Sequence, residues 1–173
     1  MTEGERQLVE DLIESEHRLA GSEPIARRGA ECASSTILIE GFAIRVIERR
    51  GAAHIIGVQV PGDFVDLQGF ALKRLDHDIY ALGPARIGRV SHVRIRQVID
   101  LQPHLARLLW FSTLLDGAIH REWILKLEDL GAAQRVAHVF CEICRRLDLV
   151  GLGGPDGFAL PMTQAQLASM CGT

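Results

Sequence analysis

The side chains best able to do chemistry in this sequence lie toward its end. Cys141-Glu142-Ile143-Cys144 is a C-x-x-C with His138 three residues ahead of it, and Cys171 follows near the end of the sequence. At 100° per residue, His138, Cys141 and Cys144 spread over about 120° of one helix surface, a geometry open to metal binding or thiol switching. Zinc, however, takes four ligands, usually from two separate elements. No second C-x-x-C and no H-x-x-x-H completes the set. A thioredoxin-type pair needs a helix N-terminus that lowers a thiol pKa, whereas this pair falls in mid-helix. Cys144 therefore reads as a small hydrophobe beside an apolar stripe, with Cys141 and His138 facing outward or toward a neighbour. Cys171, Cys141 and Cys144 are the redox candidates, Cys171 because oxidising a thiol inside a helix would disturb the docking of that helix. Histidines 17, 54, 77, 92, 104 and 120 make no ligand spacing with one another. A cupin-like metal enzyme needs several His and carboxylates converging from strands. No nucleophile elbow, phosphate loop or dinucleotide fingerprint is present, so neither a catalytic residue, nor a metal, nor a cofactor is assigned.

The elements that must position these residues follow from composition and periodicity. At 173 residues, 47% hydrophobic and 24% charged, the chain can bury a core and is not disordered. Its net charge of −3 advertises no global affinity for nucleic acid or an anionic membrane. No apolar run approaches the roughly 20 residues that span a bilayer, and the acidic first 19 residues do not resemble a signal peptide. The expected location is cytoplasmic, with the four cysteines reduced.

Leu8, Leu12, Ile13 and Leu19 predict an amphipathic leader helix over residues 5–20. Segments 36–47, 54–60, 78–82 and 85–90 are rich in Ile and Val and are separated by Gly41, Gly51, Pro61-Gly62-Asp63, Gly69 and Gly83-Pro84. That pattern predicts short strands in a sandwich, barrel or roll, with a hairpin turn at Arg49-Arg50-Gly51-Ala52. A helix through Val93–Leu101 leads to Pro103, which suits a first helical turn. A long helix over 103–130 would reach about 40 Å. Leu108, Phe111, Leu115, Ala118 and Leu125 form one apolar stripe on it, and Trp110, Leu114 and Ile124 lie off that stripe, so more than one face is apolar. A register using Leu105, Ser112 and Ile119 fits nearly as well. Gly131 breaks this helix, and 132–150 form another with the stripe Val136, Phe140, Ile143 and Leu147. A loop over 151–157 and an extended piece over 158–162 follow. Thr163-Gln164-Ala165-Gln166 then has the spacing of a capping box.

This order of parts, with Pro61-Gly62-Asp63-Phe64 at a turn and Leu160-Pro161-Met162-Thr163-Gln164-Ala165-Gln166-Leu167-Ala168 about 100 residues later, resembles the Crp/Fnr family of bacterial transcription regulators. The resemblance covers nearly the whole chain. It implies an α+β fold: a leader helix, an antiparallel β-roll or jelly-roll like a cyclic-nucleotide-binding domain, a dimerisation helix and a winged helix-turn-helix. The expected divisions are residues 1–102 for leader and sensory roll, 103–130 for the dimerisation helix and 131–173 for the first part of the DNA-binding unit.

The partners implied are a second copy of the chain, double-stranded DNA, RNA polymerase, and either an unknown small-molecule effector or none, with no membrane. The dimer seam is expected at Leu108, Phe111, Leu115, Ala118 and Leu125. Thr163, Gln164 and Gln166 are the DNA-backbone candidates, at a helix N-terminus that favours phosphate, with Gln166 more engaged in capping. A recognition helix would lie beyond Gly172, so the chain is expected to be a fragment of a longer regulator and not to read an operator by itself.

Cyclic-nucleotide members of the family place Gly-Glu-Leu and then Arg-Ser around the ligand. Here those places read Asp66-Leu67-Gln68-Gly69 and His77-Asp78, which makes Asp66, Leu67, His77 and Asp78 the effector-pocket candidates. A carboxylate where the cyclic phosphate sits would repel it, so cyclic AMP is not the expected effector; Lys73 and Arg74 offer an anion site only if their loop turns inward. No cysteine precedes Cys32, so the family's N-terminal iron–sulfur cluster is not expected either. The alternatives are a cupin-like metal-dependent enzyme and a regulator controlled by thiol oxidation without a ligand.

Overall fold

The computed structural model describes residues 1–154 and 157–173. Of the loop expected over 151–157, Pro155 and Asp156 lie outside the described residues. The element order is α1 (Glu3–Asp11), β1 (Ser15–Leu19), β2 (Pro24–Ala26), β3 (Ser34–Arg49), β4 (Ala52–Gln59), α2 (Gln68–Leu72), β5 (Asp78–Ser91), α3 (His92–Leu101), α4 (Pro103–Asp129), α5 (Ala132–Leu149) and α6 (Gln164–Cys171). The sheet is antiparallel in the order β1-β5-β3-β4, with β2 also on β5.

Two long strands replace the short ones expected. Gly83-Pro84, read as a turn, lies inside the 14-residue β5, and Gly41 lies inside the 16-residue β3. The ladder between them shifts register on either side of Glu40, which bends the strands without ending them. Gly41 has φ +81°, and a Cβ there would sit 2.3 Å from the Pro84 carbonyl oxygen, so the bend demands glycine. The hairpin expected at 49–52 is present. Arg49 pairs with Ala52, and Arg50 and Gly51 have φ of 55° and 77°, the two positive values of a type I′ turn.

The leader helix is shorter than expected. It ends at Asp11, and Ser15–Leu19 pairs with β5 from Ser15↔Arg89 to Leu19↔Ala85. Backbone groups of β5 there need partners, and pairing with them draws this largely exposed segment into an edge strand. Leu12 is buried, and Ile13 covers Gly88, where a Cβ would come within 2.9 Å of it.

Among the described residues, three apolar clusters hold the fold together. Leu38, Val65, Ile79, Ala81 and Ile87 fill the roll. Leu12, Ile37, Leu67, Val90, Ile95, Leu105 and Leu109 join it to α1, α3 and the start of α4. Phe42, Ile44, Val46, Ile55 and Val58 meet Val139, Ile143 and Leu147 of α5 and Met170 and Cys171 of α6. Both faces of β3 are therefore covered, which explains its nearly unbroken apolar run. On α5 the inward residue is Val139, whereas Phe140, expected on the stripe, is 39% exposed with its ring 6.1 Å from that of Phe158.

The 27-residue α4 begins at Pro103 as expected and runs about 40 Å. Only Leu105 and Leu109 of it are buried, and Trp110, Phe111, Leu114, Leu115, Ile124 and Leu125 face solvent. None of the described helices is long and apolar enough to cross a membrane.

Candidate functional site

The Pro61-Gly62-Asp63-Phe64 turn is fastened to the roll by its own backbone. The Gly62 N–H donates to the Leu38 carbonyl at 2.8 Å, and the Leu38 N–H donates to the Asp63 carbonyl at 2.9 Å. The Asp63 carboxylate accepts the Val60 N–H at 2.8 Å and pairs with Arg146 of α5. Arg146 also donates to the Val58 carbonyl at 2.8 Å. Burial pushes the Asp63 carboxyl above its ordinary range, against the opposing pull of Arg146.

A second link joins the roll to α4. Arg45, on β3 and 3% exposed, donates from Nη1 to both Asp116 oxygens at 2.8 and 2.6 Å and from Nη2 to the Val65 carbonyl at 3.0 Å. Its Nε–H is buried without an acceptor among the described residues. Arg45, Asp116, Asp63 and Arg146 all line one cavity of about 330 Å³ between the roll, α4 and the end of α5.

Of the four positions singled out in the sequence for an effector, only Leu67 lines that cavity. Asp66 is buried at 3% exposure and accepts the Thr36 N–H at 2.5 Å and the Thr36 hydroxyl at 2.9 Å; burial raises its pKa, with these bonds opposing. His77 is buried with Nδ1 at 2.7 Å from Asp76, and burial lowers its pKa. Asp78 accepts the Arg28 N–H at 2.9 Å. Lys73 and Arg74 do not turn inward: both are exposed, and they donate to the carbonyls of Phe70 and Gly29. Of the residues that build the cavity's charged wall, Asp63 was named only as part of its turn motif, and Arg45, Asp116 and Arg146 were not singled out in the sequence. Their signal was a charge inside an apolar run: Arg45 between Ile44 and Val46, and Asp116 in the middle of the long apolar helix.

The expected seam residues Phe111, Leu115 and Leu125 are exposed on α4, with Leu108 and Ala118 half-buried. In the alternative register Leu105 is 1% exposed, packed in the cluster that joins the roll to α1, α3 and α4. The capping box on α6 is formed: the Gln166 N–H donates to Thr163 Oγ1 at 3.2 Å and the Thr163 N–H to Gln166 Oε1 at 2.8 Å. Gln164 is exposed beside it. Ser169 fastens α6 to β4, accepting the Ile55 N–H and donating to the Ala53 carbonyl, both at 3.3 Å.

Cys171 is fully buried, and burial pushes its thiol up. Cys141 is exposed and Cys144 half-buried. The His138 ring meets Trp123 edge-on at 5.2 Å, and Trp123 Nε1 donates to Glu142 at 2.8 Å. Among the described residues, no three His, Cys, Asp or Glu converge as a metal site.

An antiparallel roll followed by the long α4, α5 and the capped α6 gives the chain an α+β fold like that of solved cyclic-nucleotide-binding-like proteins. One curated sequence match and the fold are both of the kind that a resemblance to the Crp/Fnr family implies. The chain is 27% identical over 125 residues to the transcriptional activator protein FnrL of Cereibacter sphaeroides, a match covering 70% of this chain and 50% of that one, so it spans about half the length of this curated relative. In fold it is similar to FixK2 from Bradyrhizobium japonicum, with TM-score 0.79 at 19% identity over 91% of this chain and 77% of that one. It is also similar to the c-di-GMP-responsive global regulator CLP of Xanthomonas campestris, with TM-score 0.73 at 14% identity over 99% and 85%. No family model matches the sequence.

Proposed function

We propose that this chain is the sensory and dimerisation portion of a DNA-binding transcription regulator of the Crp/Fnr type that does not respond to cyclic AMP. In this reading residues 1–102 sense, 103–130 dimerise and 131–173 begin the DNA-binding unit. The observation that carries it is α4, a 27-residue helix that buries only Leu105 and Leu109 and leaves a long apolar face in solvent. Such a face suits a second copy of the same helix, with Leu108, Phe111, Leu115, Ala118 and Leu125 as the seam. Asp66 and His77 speak against a cyclic nucleotide, since both are buried and already engaged where its phosphate would lie. Thr163 and Gln164, at the start of α6, suit a phosphate contact through the helix N-terminus.

Native mass spectrometry of the purified chain tests the dimer, and a monomer at micromolar concentration would refute it. Chromatin immunoprecipitation of the protein from its host tests the regulator. Discrete peaks upstream of genes are expected, and uniform recovery of DNA would count against the reading.

A further inference from the structure

The charges where α4 and α5 meet the roll do not balance. Arg45 and Arg146 stand among three carboxylates, Asp63 of the turn, Asp116 of α4 and Glu142 of α5. Arg45 is paired with Asp116 and Arg146 with Asp63, which leaves Glu142 as the surplus acid. The Glu142 side chain is 17% exposed, and the arginine beside it, Arg146, reaches it only at 3.4 Å while donating to the Val58 carbonyl at 2.8 Å. Docking α5 on the roll and α4 therefore gathers one more negative charge than positive into a half-dry joint, and a proton taken up nearby relieves that repulsion.

The group placed to take it is His138, one turn before Glu142 on α5. Its Nε2 stands 3.9 Å from Glu142 Oε2, the oxygen that accepts the Trp123 Nε1–H from α4 at 2.8 Å, and its ring lies edge-on to Trp123 at 5.2 Å. At that distance a neutral imidazole makes no hydrogen bond to the oxygen, whereas an imidazolium supplies the missing positive charge and a charged donor. Histidine is the side chain that gains its charge between about pH 8 and 5. The other groups at the joint are engaged elsewhere or uncharged. His120 of α4 donates to the Asp116 carbonyl at 2.8 Å, β4 contributes the neutral Gln59 and α6 contributes Met170. Arg135 donates to the carbonyls of Leu127 and Gly172, and Lys126 pairs with Glu122 on its own helix.

We propose that His138 and Glu142 form a pH-sensitive clasp at the joint of α4 and α5, in which a proton taken up by His138 holds Glu142 against Trp123 and Arg146 and fastens residues 131–173 to α4 and the roll. The docked arrangement gathers Glu142 with Asp63 and Asp116, so it binds that proton more tightly than an undocked one; docking is favoured as pH falls and relaxes as pH rises. The clasp takes its regulatory meaning from the reading above, in which residues 131–173 begin the DNA-binding unit. Acidity would then bias how that unit sits on the dimerisation helix.

The test follows the Trp123 indole N–H by nitrogen–proton correlation spectroscopy of the full chain. The sequence holds two tryptophans, so Trp110→Phe leaves Trp123 as the single indole signal. Between about pH 8 and 5 that signal is expected to move through one transition, lost in His138→Gln and retained in His120→Gln and in Asp63→Asn. Amide hydrogen exchange of α5 and α6, corrected for its intrinsic pH dependence, is expected to be slower by at least about threefold at the acidic end, and equal at both ends in His138→Gln. Glu142→Gln, which keeps an acceptor for Trp123 and removes the charge, should abolish the same difference and serves if His138→Gln does not fold. An indole signal that does not move, a transition that survives His138→Gln or disappears in His120→Gln, or equal exchange in the parent at both ends overturns the proposal. Every readout is made without DNA, and a chain that proved monomeric would refute the dimer while leaving these results to stand or fall separately.

Discussion

Arg45 and Asp116 stand 71 positions apart in the chain and meet through two N–H···O contacts of 2.8 and 2.6 Å, the arginine buried inside the sheet and the aspartate one-third exposed on α4. This pair ties the middle of the long helix to the roll. Removing one partner is worse than removing both, because a lone buried guanidinium keeps its desolvation cost and loses its compensation. Asp116→Leu is expected to cost about 2–4 kcal/mol, and Arg45→Met with Asp116→Leu to recover at least about half of it. Urea unfolding of the three chains checks this; a double variant no better than Asp116→Leu would show that the pair carries no such penalty.

Buried carboxyls set the pH response. Burial raises Asp66 above its ordinary 3.8, so the folded state holds that proton more tightly than the unfolded one. Its contribution is greatest below the ordinary value and is lost as pH rises through the window up to the raised value. Glu5 acts in the opposite sense: held at about 2 by its hydrogen bond with His104, it favours folding above the ordinary carboxylate range and loses that effect as pH falls. The difference in stability between the parent chain and Asp66→Asn should therefore change across the acidic range, with the parent declining more steeply as pH rises. Parallel curves from urea midpoints at several pH values would rule out a raised Asp66.

Leu115 lies in the middle of the exposed face of α4. Leu115→Glu is expected to weaken a dimer built on that face by at least about 2 kcal/mol, near thirtyfold in Kd, since a central apolar contact is replaced by a buried charge. Sedimentation equilibrium reads it directly, and an unchanged dimer mass places the seam elsewhere.

The parts of the fold legible in the sequence were those fixed by neighbours along the chain. Arg50-Gly51 announced its hairpin, Pro103 the start of α4, and Thr163 with Gln166 the start of α6, because turn and cap chemistry acts within four residues. What failed depended on partners far away. Ser15–Leu19 continues a helical pattern until the free edge of β5 claims it, and Gly83-Pro84 signals a turn unless Gly41 is known to lie against it. At the site, Asp66 and His77 stood out by their place in a motif, yet Thr36 and Asp76 hold them away from the cavity. Arg45 and Asp116 were visible only as charges where apolar residues were expected, a signal that says a partner exists without saying which.

At Gly41 the two long strands leave no room for a side chain. Any Cβ there meets the Pro84 carbonyl oxygen at 2.3 Å and Ala85 Cα at 2.9 Å, both in backbone that cannot rotate away, and its φ of +81° is strained for other residues. Gly41→Ala is expected to cost more than about 3 kcal/mol, whereas Gly29→Ala, with φ +74° and open space around it, should lose only about 1 kcal/mol. Thermal melts of the two variants separate backbone crowding from conformational preference.

The packing of α5 and α6 on the roll predicts how the molecule comes apart. Val139, Ile143 and Leu147 share one cluster with Phe42, Ile44, Val46 and Val58 and with Met170 and Cys171 of α6, and Ser169 is bonded to β4, so residues 131–173 bury their apolar face against the strands as well as against each other. A helix pair whose core is shared with a sheet loses much of its burial when that sheet opens. The chain is therefore expected to unfold in one transition, and Ile143→Ala, which empties a fully buried position, to lower its stability by about 2–4 kcal/mol. Hydrogen exchange read by mass spectrometry distinguishes the alternatives. In Ile143→Ala, protection should fall together in β3, β4 and α5. Loss confined to α5 and α6 would mean that the helices detach from an intact roll and that the shared cluster contributes little to the strands.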